Sequence, residues 1–179
     1  MESMLDEIEE IVFDEFAIAG AVRELGERIS RDYEGKELIL ICILKGAAMF
    51  TADLARSISS PLTLEFIQAS SYGLATSSTG NVIIKKDTET DLQDKHVLLV
   101  DTIIDTGKTM GCLFKLLSAR RPASLDVVVL LDKSSKRQVE VPIAYKGYDI
   151  PDKFVVGYGL DYGEQYRNLP YIAVLKADG

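Results

Sequence analysis

Short apolar runs alternate with amphipathic helical patterns along this chain, and this alternation constrains the fold more than any other feature. The runs lie at 38–44, 97–100 and 125–131. They are short for helices and read as strands that are buried on both faces. The helical patterns lie at 16–32, 47–58 and 107–119. This order predicts an α/β fold, in which a mainly parallel sheet carries helices on both faces.

Weaker patterns add further elements. Further strands are predicted at 62–69, 154–158 and 171–175. The segment 70–81 is rich in Ser, Thr and Gly, which is typical of a loop. Residues 1–14 are acidic and amphipathic, and the sequence gives no partner for them. A length of 179 residues predicts one domain over 1–179.

Charge and hydropathy exclude several classes of protein. The chain has 20 Lys and Arg against 28 Asp and Glu, and this net charge of −8 argues against nonspecific nucleic-acid binding. No apolar run approaches the roughly 20 residues that a membrane span needs. The acidic start, MESMLDEIEEI, differs from a secretory signal or a transit peptide. We therefore expect a cytoplasmic protein without a membrane or nucleic-acid partner.

Cysteine and histidine usage excludes two kinds of catalytic centre. Cys42 and Cys112 lie in apolar segments without CxxC spacing, so they read as reduced core thiols. His96 is the sole histidine, so the chain offers few residues for a zinc site or a Ser-His-Asp triad. We predict that His96 is a residue at the edge of a strand.

The most informative segment is VLLVDTIIDTGKTM at 97–110, where a buried strand leads through a polar turn into a helix. A helix N-terminus offers free backbone N–H groups and the positive end of a dipole, which suit a phosphate. Gly107 lets the backbone approach closely, and Thr106 and Thr109 add hydroxyl donors. Asp101 and Asp105 bring two carboxylates near this anion site, an arrangement that calls for a metal or a hydroxyl-rich ligand.

Two better-known phosphate motifs fail to match. A P-loop needs glycine five residues before Gly107, and that residue is Thr102. Gly157, Gly159 and Gly163 are spaced one residue too widely for the dinucleotide fingerprint. A capped strand-to-helix turn would explain the DTG residues alone, whereas the two acids favour a functional site.

The run at 97–110 resembles the phosphoribosyl-diphosphate (PRPP) signature of the type I phosphoribosyltransferases, and nearly the whole chain is similar to their hypoxanthine-guanine branch. The other matching stretches are ILKGAAMF (43–50), SSYG (70–73), LLDKSS (130–135) and IPDKFVVGYGLDYGEQYRNLPY (150–171). The resemblance implies the type I phosphoribosyltransferase fold with a small hood formed by terminal segments. It also implies a Mg²⁺-dependent enzyme of purine salvage that acts as a homodimer or homotetramer.

The resemblance assigns PRPP to residues that follow two of the buried strands, together with the loop and the C-terminal segment. The implied PRPP contacts are Lys45, Gly46, Ser71, Tyr72, Asp101, Thr102, Asp105, Thr106, Gly107, Lys108, Thr109 and Arg167. Asp105 would act as general acid/base at purine N7, and Asp101 would hold the ribose hydroxyls. The family usually carries Glu-Asp where this chain has Asp101-Thr102, so a hydroxyl replaces a carboxylate here.

The leaving pyrophosphate and the lid are also assigned by the resemblance. In the family the Leu44–Lys45 bond is a non-proline cis peptide in the pyrophosphate loop, and Arg167 clamps the pyrophosphate through a bidentate contact. The loop 70–81 would close as a mobile lid, because water could intercept the oxocarbenium-like transition state.

The purine would lie among five residues that the resemblance implies: Ile103, Lys133, Phe154, Val155 and Asp161. Lys133 would donate to the 6-oxo group and so select hypoxanthine, guanine or xanthine over adenine. Phe154 would stack on the base. The Val155 carbonyl would accept from the 2-amino group of guanine, and Asp161 would also help to hold Mg²⁺.

By residue type alone, Lys45 and Lys133 would read as surface lysines, Phe154 as a core aromatic, and Asp161 with Arg167 as an exposed ion pair. We expect phosphoribosyl transfer from PRPP to hypoxanthine first and guanine second, and acceptance of xanthine depends on the pocket at the purine 2-position. Two other functions stay open, an RNA-binding regulator on the same fold and a PRPP-binding protein without activity. The charge of −8 disfavours the former, and Thr102 gives slight support to the latter.

Overall fold

The computed structural model describes residues 7–71 and 82–176, without the side chains of 70 and 71. Its helices and strands follow one another in the order β1 (Ile8–Phe13), α1 (Glu15–Asp32), β2 (Leu38–Leu44), α2 (Ala48–Ser57), β3 (Leu62–Ser71), β4 (Val82–Lys86), β5 (His96–Ile104), α3 (Lys108–Ser118), β6 (Ser124–Asp132), β7 (Ile143–Asp149), β8 (Val155–Val156) and β9 (Ile172–Leu175). A short 3₁₀ turn, Ser134–Lys136, follows β6. No helix in the described ranges is long and apolar enough to cross a membrane.

Six strands form the main sheet in the order β4-β3-β2-β5-β6-β7. All neighbouring strands are parallel except β3 and β4. Strand β2 is buried on both faces, because Leu38 and Leu40 pack with helices α1 and α2, whereas Ile39 and Ile41 pack with α3. The predicted α/β fold with helices on both faces is confirmed.

A second, smaller sheet joins the two ends of the described chain in the order β1-β9-β8. Ala173 of β9 pairs with Ile11 of β1 on one side and with Val156 of β8 on the other. This sheet is the hood of terminal segments that the resemblance implies. Within the acidic segment 1–14, whose partner the sequence left open, residues Ile8–Phe13 pair with β9, and residues 1–6 lie outside the described ranges.

Parallel strands bring their carboxyl ends to one edge of the main sheet, which is where ligands bind in such folds. The backbone N–H of Lys133 donates to the Ile104 carbonyl at 2.9 Å, so the segments that follow β5 and β6 lie side by side. The predicted site residues after β2, β5 and β6 therefore share this edge.

Three strands, β1, β4 and β7, were not expected from the sequence. They lie at sheet edges, where partly exposed positions blur the apolar pattern that marks a buried strand. The strand expected at 154–158 is only two residues long, because the backbone turns to positive φ at Gly157, Tyr158 and Gly159. The expected loop at 70–81 overlaps the end of β3, and its residues 72–81 lie outside the described ranges.

Candidate active site

The turn before α3 has the geometry of an anion site. Gly107 begins the helix with φ +80°, and no side chain caps the helix end. Of its first N–H groups, that of Lys108 makes a long contact of 3.4 Å with the Thr106 hydroxyl, and this weakly bonded helix end can bind an anion. A Cβ at position 107 would lie 2.3 Å from the Val139 carbonyl oxygen, so only glycine fits. Asp105, just ahead of this turn, is exposed.

Asp101 lies near the end of β5 and is partly buried. Burial raises the pKa of its carboxyl to about 7, although the backbone N–H groups of Thr102 and Ile103 oppose part of that shift. The Thr102 N–H donates to Asp101 Oδ1 at 2.8 Å. Hydroxyl donors from a ligand would favour the charged carboxylate, so this acid suits a ribose.

Thr102 is fully buried, and its hydroxyl donates to the Gly46 carbonyl at 3.0 Å. The residue that replaces the usual acid of the family thus contacts the loop after β2. A direct contact of Thr102 with PRPP stays a prediction, and the hydrogen bond to Gly46 favours an indirect role.

The Leu44–Lys45 peptide bond is cis, as the resemblance implies. The next residue, Gly46, lies close to Gly159. A Cβ on Gly159 would be only 2.1 Å from the Gly46 carbonyl oxygen. The Arg167 Nη1 donates to the Gly159 carbonyl at 2.7 Å. The segment after β8 is therefore packed directly against this loop.

Two cations and two carboxylates meet beside this loop. Lys45 Nζ lies 2.8 Å from Glu164 Oε2. The Nη2 of Arg167 lies 2.9 Å from Asp161 Oδ1 and 3.3 Å from Glu164 Oε1. The Nε of Arg167 is buried without a hydrogen-bond partner in the described ranges. Glu164 is exposed and Asp161 is partly buried, and the two cations can exchange these carboxylates for the oxygens of an anionic ligand.

Lys133 and Phe154 show the opposite of the exposure that their residue types usually have. Lys133 is only 6% exposed, and its ammonium makes no hydrogen bond or ion pair to any described residue. Phe154 is 57% exposed, and its ring meets Tyr162 edge-on at 5.7 Å. The simple readings of a surface lysine and a core aromatic are therefore wrong, and both groups remain available to a ligand.

Comparisons with known proteins agree with this geometry. The family model described as "Phosphoribosyl transferase domain" matches residues 10–163. The curated hypoxanthine-guanine phosphoribosyltransferase of Staphylococcus aureus (strain Mu50 / ATCC 700699) is 44% identical over 175 residues, covering 98% of each chain. The chain belongs to the phosphoribosyltransferase family. Solved structures extend the likeness to the three-dimensional fold.

The crystal structure of a hypoxanthine phosphoribosyltransferase from Staphylococcus aureus is 45% identical with a TM-score of 0.94, covering 98% of this chain and 96% of that one. That of a hypoxanthine-guanine phosphoribosyltransferase from Bacillus anthracis is 40% identical with a TM-score of 0.89, covering 95% and 99%. The type I phosphoribosyltransferase fold is thus shared along nearly the whole chain.

Several residues at this phosphoribosyltransferase site were not expected from the sequence. They are Glu164, Tyr162 and the buried pair Asp132 and Arg137. The position of each depends on a contact between separate segments or within an irregular turn, which local sequence patterns do not reveal. Nothing in the local pattern distinguishes Arg137 from the exposed Lys136 beside it.

The side chains of two predicted PRPP residues, Ser71 and Tyr72, are not described by the structure. Tyr72 lies outside the described ranges, and Ser71 is described only as the last residue of β3, where it pairs with Val82. Their assignment to a lid therefore stays a prediction.

The residues present fit a magnesium ion that is held jointly with a substrate. The described ranges contain no cluster of three or more His, Cys, Asp or Glu side chains that could enclose a metal. Mg²⁺ usually keeps several waters and takes one or two carboxylates plus substrate phosphates. Asp161, which is partly buried beside Arg167, offers such a single carboxylate.

Proposed function

We propose that the protein transfers the 5-phosphoribosyl group of PRPP to hypoxanthine first and guanine second, forming the nucleoside 5′-monophosphate and pyrophosphate. The observation that carries this proposal is the shared sheet edge, where the backbone of the largely buried Lys133 bonds to Ile104 of β5, the strand that leads to the N-terminus of α3. A phosphate site and a donor for a 6-oxo group are the two requirements of this reaction. Family membership supports the same activity.

Binding of PRPP would use the turn Asp105–Thr109 for the 5′-phosphate, with N–H groups of the α3 end and the hydroxyls of Thr106 and Thr109 as donors. Lys108 is exposed and adds positive charge at this end. Asp101 would accept from the ribose hydroxyls. Thr102 would act through Gly46, since its hydroxyl already donates to that carbonyl.

The leaving pyrophosphate would lie beside Lys45, Gly46 and Arg167. Its oxygens would replace the carboxylate of Glu164, which both cations contact in the free protein. Asp161 would hold Mg²⁺ together with ligand oxygens, and the bound ion would supply charge stabilisation for the departing pyrophosphate. Ser71 and Tyr72 would close over this side of the site as part of the lid.

Purine recognition would depend on the ammonium of Lys133, which has donors only and so accepts a 6-oxo group and rejects a 6-amino group. Phe154 would stack on the base, Ile103 would line the pocket, and the Val155 carbonyl would face the 2-position. N9 of the purine attacks the anomeric carbon, and Asp105 takes up or returns the N7 proton.

Further properties follow from the same proposal. Residues 1–179 would work as a single domain in the cytoplasm, assembled as a homodimer or homotetramer. Xanthine would be accepted only if the 2-position tolerates an oxo group opposite the Val155 carbonyl.

A turnover assay tests the proposal. The purified protein is mixed with PRPP, Mg²⁺ and, separately, hypoxanthine, guanine, xanthine, adenine and uracil, and the monophosphate is followed by absorbance. We expect turnover of the 6-oxopurines without adenine or uracil. The Lys133→Gln variant, whose amide can both donate and accept, should narrow the preference for hypoxanthine over adenine.

Folded protein that binds PRPP without turning over any base would favour the binding-protein alternative. Turnover of adenine by the wild type would contradict the role of Lys133.

A further inference from the structure

The segment 137–139 supports the back of the phosphate turn. The Thr106 carbonyl accepts the N–H groups of Gln138 at 2.9 Å and of Val139 at 3.0 Å. Because two donors hold this one carbonyl, the position of the turn depends on the segment behind it.

Gly107 packs directly against the same segment. A Cβ placed on Gly107 would lie 3.1 Å from Arg137 Cδ and 3.3 Å from Arg137 Nη1. The Arg137 guanidinium therefore lies immediately behind the residue that begins α3. No motif of the sequence assigns this arginine to the site.

Arg137 is buried but incompletely bonded. Its side chain is 10% exposed, and its Nη2 donates to Asp132 Oδ1. Its Nη1 is buried and has no hydrogen-bond partner in the described ranges. Buried charged donors nearly always have acceptors. The Arg137 guanidinium is therefore fixed by its pair with Asp132 on one side and by packing against Gly107 on the other.

The charge of Arg137 is only partly neutralised. Its carboxylate partner, Asp132, also lies 3.6 Å from Lys146 Nζ. A guanidinium stays protonated at any physiological pH. The remaining positive charge reinforces the positive dipole end of α3 and favours a dianion at the turn.

We infer that Arg137 is a positioning residue for the 5′-phosphate. It holds the Thr106–Gly107 turn in the shape that wraps a phosphate, and its positive charge favours a dianion there. This inference rests on the proposed function, because it assumes that a phosphorylated sugar occupies this turn.

The test compares Arg137→Gln and Arg137→Lys with a matched control, Arg120→Gln. Arg120 also pairs with a carboxylate, that of Asp87 at 2.6 Å, but it lies beyond the opposite end of α3. The measurements are the KM values for PRPP and hypoxanthine, and the dissociation constants of inosine 5′-monophosphate and inosine. The ratio of the two dissociation constants isolates the contribution of the phosphate, which a general loss of stability would not change.

We expect Arg137→Gln to raise the PRPP KM about tenfold or more, because the phosphate turn loses both its packing support and a nearby positive charge. The dissociation constant of inosine 5′-monophosphate should rise in parallel. The dissociation constant of inosine and the KM for hypoxanthine should stay within about twofold of the wild-type values. Arg137→Lys should recover part of the loss, since it keeps the charge without the planar fork. Arg120→Gln should leave all four values unchanged.

A PRPP KM in Arg137→Gln no higher than in Arg120→Gln would overturn the inference, as would equal losses for the monophosphate and the nucleoside. If Arg137→Gln does not fold, the lysine variant decides, and a PRPP KM within about twofold of wild type would overturn the inference. An inactive wild type would count against the proposed function. The ratio of the two dissociation constants would still test Arg137 in that case.

Discussion

Asp101 is the residue whose chemistry depends most on its surroundings. Burial raises its pKa to about 7, far above the value of about 3.9 for an exposed aspartate. Ribose hydroxyls would donate to the charged form, so PRPP should bind more tightly as this acid loses its proton. We expect the PRPP KM to fall by up to about tenfold between pH 6 and pH 8, because the ionised fraction rises about tenfold.

The Asp101→Asn variant provides the control for this pH dependence. Because the folded pKa is raised, ionisation of this carboxyl lowers the free energy of unfolding. This loss is zero below about pH 4 and reaches its full size above about pH 7. Asp101→Asn should therefore gain melting temperature relative to wild type as the pH rises through this window. In this variant the PRPP KM should also no longer fall between pH 6 and pH 8, because the side chain at position 101 cannot ionise. An unchanged pH profile in the variant would contradict this account.

Asp105 is predicted to act on the proton at purine N7. The Asp105→Ala variant should lower kcat about 10²-fold or more, as expected for a general acid/base, while the dissociation constant of PRPP changes far less. Rapid-quench kinetics and equilibrium binding measure the two quantities separately. Equal losses in turnover and PRPP affinity would refute the acid/base role.

Thr102 connects two loops through one hydrogen bond, from its hydroxyl to the Gly46 carbonyl. Thr102→Val keeps the shape and removes the donor, so we expect a loss of about 1–3 kcal/mol of unfolding free energy and a higher PRPP KM. Thr102→Ser keeps the hydroxyl and should stay near wild type. Thermal unfolding and steady-state kinetics with PRPP measure both quantities in both variants. Equal stability and equal PRPP KM values in the two variants would argue against a role for the hydrogen bond.

At the scale of elements, the turn after β8 sets the position of the pyrophosphate loop. A Cβ on Gly159 would meet the Gly46 carbonyl oxygen at 2.1 Å, whereas a Cβ on Gly163 would meet nothing within 4 Å. Both glycines have positive φ, so alanine strains the backbone at either position.

Gly159→Ala should therefore displace the loop and raise the PRPP KM about tenfold or more, as a loss of about 1.4 kcal/mol in binding would. Gly163→Ala should lower the melting temperature slightly and leave the PRPP KM unchanged. Steady-state kinetics of the pair measure the difference. Equal PRPP KM values in the two variants would show that the contact with Gly46 does not matter.

At the scale of the whole molecule, the site joins segments that are distant in the chain, so ligand binding should stabilise the entire fold. At 100 times its dissociation constant a ligand adds about 2.7 kcal/mol, which corresponds to a rise in melting temperature of roughly 5–10 °C for a chain of this size. We expect this rise with PRPP and Mg²⁺, and Asp105→Ala should retain it. No shift at a high PRPP concentration would contradict binding of PRPP to this site.

Local patterns determined the central strands and the phosphate turn. Strand β2 was predicted at its observed bounds, 38–44, because a strand buried on both faces is apolar at every position. The turn before α3 was predicted because its strand, glycine and helix start follow one another directly in the chain. The Thr102 and Lys133 assignments and the ribose role of Asp101 came from the family resemblance, since residue type alone does not assign these roles.

Tertiary structure alone decided which distant groups meet. Lys45 and Glu164 are 119 residues apart, and Thr102 and Gly46 are 56 residues apart. Arg137 is buried behind Gly107 only because β6 and β5 pair in parallel and carry their following segments to one edge. Periodicity reports what a residue's own helix or strand requires, whereas burial and charge pairing depend on neighbours that the fold brings together.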